Sequence, residues 1–214
     1  MKVGDIMSTN VVTVTEDTLV NDAKKIMDAH RIRRLPVMKK DKLVGLVTKH
    51  MLLEASPSPA TSLNIWELHY LLSKMTVKEI MVKNPFTISP GMPVEEALQL
   101  GQEKGYGAFP VVDDGRLVGV VTESDIVRMM TRVLGVKEQR GVRIDIRSSS
   151  KEFGFFRGIL DILDKKKALL LSMMTLPPAE DEPDWLIALR VQGDDIESVA
   201  NELKAGGYNV TYVG

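Results

Sequence analysis

What most limits the folds open to this 214-residue chain is that much of it is written twice. Val3, Asp5, Ile6, Met7, Asn10 and Thr13 return as Val77, Glu79, Ile80, Met81, Asn84 and Thr87. Leu35-Pro36-Val37 returns as Phe109-Pro110-Val111, and Gly45–Thr48 as Gly119–Thr122. Each pair is separated by 74 positions, so one copy overlays the other without a gap. Such a repeat implies one supersecondary unit used twice and packed on itself, with a seam between the copies where a ligand can sit. The copies differ at one telling place. Thr122 is followed three residues later by Asp125, whereas Thr48 is followed by Met51.

Composition narrows the classes. Hydrophobic residues make up 44%, enough for a substantial core. The 28 basic and 29 acidic residues are well mixed and leave a net charge of −1, which gives no footprint for nucleic acid or a membrane surface. Cysteine is absent, so disulfides, thiolate metal sites and a cysteine nucleophile are excluded. The longest apolar run, about 168–176, falls far short of the roughly 20 residues of a membrane helix. No stretch near Met1 reads as a signal peptide, and a soluble, cytoplasmic protein is expected.

In the first copy, Asn10–Thr15 reads as a strand, and Thr18 as the cap of a helix reaching His30. Leu35–Met38 and Leu43–Thr48 read as strands around a polar turn, with a closing helix from Lys49 to Glu54. The second copy repeats this order as Phe86–Ser89, Pro93–Lys104, Phe109–Val112, Leu117–Thr122 and a helix from Glu123 to Leu134. Asp114-Gly115 favours a hairpin turn between its last two strands. Between the copies, Ser56–Pro59 breaks the chain. A nearly all-apolar helix over 63–72 follows, whose Trp66 and Tyr70 read as core or interface.

From Arg140 the repeat stops. Val142–Arg147 alternates as a strand, Gly154–Lys165 is helical, and Ala168–Thr175 and Asp184–Gln192 are strands joined by the loop Pro177–Pro183. Its acidic residues Glu180–Glu182 read as a solvated turn. Asp195–Ala205 is a helix capped by Asp194 or Asp195 and ended by Gly206-Gly207, and Tyr208–Val213 is a last strand. The order βαββαβ is that of a ferredoxin-like unit.

The duplicated openings, the two hydrophobic-Pro-Val strands and the Gly-x-x-Thr segments that precede helices resemble the CBS domain, two of which form a Bateman module. The resemblance covers about 1–134. The C-terminal unit resembles an ACT domain, although Phe153 stands before Gly154 where that family usually has proline. A CBS pair followed by ACT resembles the AcuB-type acetoin utilization proteins. The implied fold is α+β, an α/β sandwich of two CBS repeats in a pseudo-twofold pair, followed by the ACT-like domain. The boundaries are repeat 1 at 1–60, a connecting helix at 61–75, repeat 2 at 76–134, a linker at 135–141 and the ACT-like domain at 142–214.

In CBS pairs the cleft commonly binds adenosine nucleotides. Carried onto this chain, Thr87, Tyr106, Gly107, Ala108, Pro110, Thr122, Ser124 and Asp125 form the nucleotide site. A carboxylate at Asp125 can accept both ribose hydroxyls, Thr122 can reach ribose or phosphate, and Tyr106 can stack on adenine. Taken alone, Asp125 reads rather as a helix-capping or dipole-matched carboxylate. Met51 cannot accept such bonds, which points to one main site per chain. Arg33, Arg34, Lys49 and His50 of the first copy are the candidate phosphate ligands, much as basic residues serve in regulatory subunits of AMP-activated protein kinase. The alternative for them is a solvated basic turn.

No catalytic set appears. His30, His50 and His69 lie apart without metal-ligand spacing, and there is no Walker loop or nucleophile elbow. The reading is a non-catalytic regulatory protein with no resident cofactor. Its ligand is AMP, ADP or ATP, with NAD or S-adenosylmethionine as relatives. A homodimer is expected, and a protein partner is allowed. The other reading, a scaffold whose CBS pair binds no nucleotide, stays open.

Overall fold

The computed structural model describes residues 1–55, 74–135, 141–149 and 154–214. The break at 56–59, the apolar helix at 63–72 with Trp66, His69 and Tyr70, most of the linker and Phe153 lie outside the described residues. The chain divides into two compact units, Met1–Ile126 and Val127–Gly214.

In the first unit the copies are built alike. Copy one contributes β1 (Val14–Thr15), α1 (Val20–His30), β2 (Arg34–Lys39), β3 (Lys42–Thr48) and α2 (Lys49–Glu54). Copy two follows with α3 (Val77–Ile80), β4 (Val82–Lys83), α4 (Val94–Lys104), β5 (Ala108–Asp113), β6 (Arg116–Thr122) and α5 (Glu123–Val133), the last running past the unit boundary. The likeness extends to irregularities. The β2–β3 register shifts between Val37 and Met38, and the β5–β6 register between Val111 and Val112, 74 positions on. Arg31 and Gly105 both end their helices in the left-handed conformation, with φ of 54° and 67°. Only glycine adopts that conformation without steric penalty.

Packing differs between the copies where side chains trade volume. Met27 of α1 is buried with Leu35 in the first core. The matching pair is Gly101 and Phe109, where a Cβ on Gly101 would stand 3.5 Å from the Phe109 ring and 2.9 Å from the Tyr106 carbonyl. The larger ring of the second copy occupies space that the methionine fills in the first.

Three expected elements are corrected. The strand at Asn10–Thr15 shrinks to Val14–Thr15, which pairs in parallel with β2. Phe86–Ser89 is not a strand; Ile88 makes a single parallel bridge to Val111. Thr18 does not cap α1, because its hydroxyl accepts from the Thr15 amide at 3.1 Å in a local turn and Leu19 takes the cap position.

The copies also exchange their opening segments. Val3 is fully buried in the second core with Ile88, Phe109 and Val111, and Val77 and Met81 are buried in the first with Val37 and Val47. The ties are symmetric. The Val3 amide donates to the Met92 carbonyl as that of Val77 does to Thr18, at 2.9 and 2.8 Å. Ser8 bridges Val120 of β6, just as β4 pairs with β3. Gly119 admits this crossing, since a Cβ there would lie 2.5 Å from the Met7 sulfur; one at Gly45 would collide with Met81 in the same way.

The second unit contains the end of α5, then β7 (Val142–Ser148), α6 (Phe155–Lys165), β8 (Leu169–Leu176), β9 (Trp185–Gln192), α7 (Ile196–Ala205) and β10 (Asn209–Val213). The sheet is antiparallel throughout with order β10-β7-β9-β8, which is the ferredoxin-like topology. Ile144, Ile146, Ile187, Leu189 and Val191 of the sheet meet Ile159, Leu163, Val199 and Leu203 of the helices in one buried core. Asp195 caps α7 by accepting from the Ser198 amide at 2.9 Å. The acidic turn Glu180–Glu182 is exposed, and Glu182 forms a surface ion pair with Arg147.

Candidate functional site

The side chains of interest gather where β5, β6 and the start of α5 converge. Tyr106, Gly107, Ala108 and Phe109 enter β5, and Thr122 and Glu123 leave β6 for α5. With Ala97, Leu98, Gly101, Val121 and Ile126 they line a small cleft. Its entrance is aromatic. Tyr106 lies tilted against Phe86 at 6.4 Å and edge-on to Phe109 at 6.0 Å, and remains 45% exposed. The Lys104 ammonium stands 5.5 Å from the Phe86 ring centre.

Asp125 sits at the third position of α5 and is 8% exposed. Its Oδ2 accepts from the Thr122 amide at 2.9 Å and from the Thr122 hydroxyl at 2.7 Å. The Thr122 Oγ1 in turn accepts from the Asp125 amide at 3.3 Å. This is a reciprocal capping box, which satisfies amides that a helix start leaves unpaired. In the first copy half of it survives. Thr48 Oγ1 accepts from the Met51 amide at 3.3 Å, while the Met51 side chain packs against the first core. The Thr122–Asp125 pair is thus a structural lock that holds Thr122 in one orientation; Thr122 lines the cleft, and Asp125 is not among the lining residues.

The remaining expected ligands divide. Pro110 is buried within β5, where its carbonyl accepts from the Ile88 amide at 3.2 Å, and it is not among the residues lining the cleft. Thr87 and Ser124 are exposed beside Phe86 and on the first turn of α5. Of the four basic residues, Arg34 reaches across to the second copy. Its Nη2 stands 2.6 Å from the point that a Cβ on Gly107 would occupy. A side chain at this position would push the guanidinium aside. Burial pushes the Arg34 guanidinium below its ordinary value, opposed by the charge of Glu123 and reinforced by that of Arg33. Arg33 is exposed. Lys49 pairs instead with Asp28 at 2.6 Å, and His50 lies 3.3 Å from Glu54 on its own helix.

Glu123 was not singled out by sequence reasoning, yet it lines the cleft. Its amide donates to the Gly107 carbonyl at 3.3 Å, and its Oε2 lies 3.3 Å from the same point above Gly107 that Arg34 approaches. The signal was its place in the repeat, since Glu123 is the counterpart of Lys49 with the charge reversed. Among the described residues no cluster of His, Cys, Asp and Glu could hold a metal ion, and no helix is long and apolar enough to cross a membrane.

Comparison with known proteins agrees with this architecture. The CBS domain family matches residues 3–58 and 77–132. A CBS domain-containing protein of Dictyostelium discoideum is 37% identical over 62% of this chain and 92% of its own length. A homoserine O-acetyltransferase of Methanohalobium evestigatum is 33% identical over 60% of this chain, which spans 24% of that enzyme. Among solved structures, a putative acetoin utilization protein (AcuB) of Vibrio cholerae is 29% identical with a TM-score of 0.54, covering 65% of this chain and 96% of its own. The CBS domain pair of protein MJ0100, in complex with 5-methylthioadenosine and S-adenosyl-L-methionine, is 30% identical with a TM-score of 0.52, covering 62% and 97%. CBSX2 of Arabidopsis thaliana in complex with AMP is 30% identical with a TM-score of 0.51, again covering 62% and 97%. With both copies matched in tandem over about half of its residues, the chain belongs to the CBS domain family.

Proposed function

We propose that this chain is a non-catalytic regulatory protein that binds an adenosine-containing ligand at the second CBS copy. The observation that carries this reading is the single cleft that gathers Tyr106, Gly107, Ala108 and Thr122, with Arg34 of the first copy standing over Gly107. Tyr106, 45% exposed, offers adenine a face. Asp125 takes the ribose, Thr122 the ribose or phosphate, and Arg34 the phosphate, with Arg33, Lys49 and His50 as outlying cations. Bound AMP in CBSX2 and bound 5-methylthioadenosine and S-adenosyl-L-methionine in protein MJ0100 support the ligand class. The likeness to the AcuB protein supports a link to acetoin utilization. The ferredoxin-like unit acts as an ACT-type module that makes a homodimer or senses a small molecule.

The ligand acts by favouring one arrangement of the protein over another, which requires different affinity for the two. Calorimetric titration with AMP and S-adenosylmethionine tests the site. Replacing Asp125 by Asn leaves an oxygen for Thr122 but removes the charge. Affinity should fall by about ten- to hundredfold, the worth of one charge-assisted hydrogen bond. The observation that favours the scaffold reading is the capping box itself, which engages Asp125 without a ligand. Absence of heat with either compound at millimolar concentration decides for the scaffold, and unchanged affinity in Asp125→Asn removes Asp125 from the site.

A further inference from the structure

We infer that Glu123 sets which adenosine ligands the cleft accepts: it admits those of low negative charge, such as a monophosphate or a cationic sulfonium, and turns away a triphosphate. The inference rests on the adenosine-binding reading above and names the ligand class for that site.

Two observations carry it. The Glu123 backbone is anchored, as the first residue of α5 with its amide on the Gly107 carbonyl at 3.3 Å, so its side chain starts from a fixed place at the cleft wall. Its carboxylate and the Arg34 guanidinium approach one point above Gly107, at 3.3 and 2.6 Å. A phosphate bound by Arg34 must therefore share that cation with Glu123. The cleft thus sets the Glu123 carboxylate beside the Arg34 guanidinium.

The fold does not force this arrangement. In the first copy the same backbone bond, from the Lys49 amide to the Arg33 carbonyl at 2.8 Å, holds a lysine at the equivalent position. Reversing the charge at matched geometry changes what the position selects without changing how it is built. Two unit charges about 6 Å apart in a partly hydrated cleft interact by an amount worth roughly three- to hundredfold in affinity. The effect grows with each added phosphate.

The test is calorimetric titration of the whole chain with AMP, ATP and S-adenosylmethionine at one ionic strength, for the native protein, Glu123→Gln and Glu123→Asp. The native chain should bind ATP more weakly than AMP or S-adenosylmethionine. Glu123→Gln should improve ATP relative to S-adenosylmethionine by about tenfold, and Glu123→Asp, which keeps the charge, should preserve the native order. Tightest native binding to ATP, or an equal shift of all three ligands in Glu123→Gln, overturns the role of Glu123 and spares the adenosine site. No heat from any of the three overturns both.

Discussion

At Thr122 and Asp125, two side chains and two amides close a capping box, and Thr122 lines the cleft. A ligand at this place meets a threonine whose hydroxyl direction is already set, so little ordering entropy remains to be lost on binding. At Met51 only the backbone half of the lock remains, and the side chain packs against the core. Gly101 is the other residue whose role depends on its surroundings. Alanine there would gain about 1 kcal/mol of helix propensity. Its Cβ, however, would lie 2.9 Å from the backbone oxygen of Tyr106, which a helix can relieve only by shifting. Overpacking of this kind costs about 1–3 kcal/mol, so chemical denaturation of Gly101→Ala should show a loss of stability. A gain would mean that α4 has room to move. Asp125 could be found in the sequence because its counterpart differs in kind, whereas Glu123 was hidden. A glutamate on the first turn of a helix is usually only a good match to the helix dipole, and its neighbour Arg34 lies in the other copy.

Among the elements, the order of helices and strands was legible because each copy testified for the other. The hydrophobic-Pro-Val strands, the polar turns and the 74-residue offset place β2, β3, β5 and β6 closely. Less legible were the segments that gain order from a few distant bonds, such as Asn10–Thr15 and Phe86–Ser89. β-branched content there reads as strand, but each reaches the sheet edge through one or two bridges. Least legible was the exchange of openings. Val3 and Val77, like Met7 and Met81, are the same residues in the same pattern, so the sequence fits either core and cannot say which. Chain geometry decides it. The consequence is specific. Val3→Ala should cost about 2 kcal/mol, and the weakened hydrogen-exchange protection should appear over 88–121. Loss of protection over 14–47 instead would show that Val3 belongs to the first copy.

For the whole molecule, a duplicated chain suggests two equal sites, and the placement of side chains argues for one. The second copy holds the capping carboxylate and the aromatic entrance, and receives Arg34 from the first. The first copy has turned Met51 into core and spends Lys49 on Asp28. On the proposed reading the pair is a symmetric frame with an asymmetric use, in which the first copy supplies the cation. Equilibrium dialysis of the intact chain against labelled AMP, carried to saturation, measures this most directly. One AMP per chain, with its affinity lowered about ten- to hundredfold in Asp125→Asn, is the expected result; two per chain, or an affinity that the substitution leaves unchanged, would contradict it.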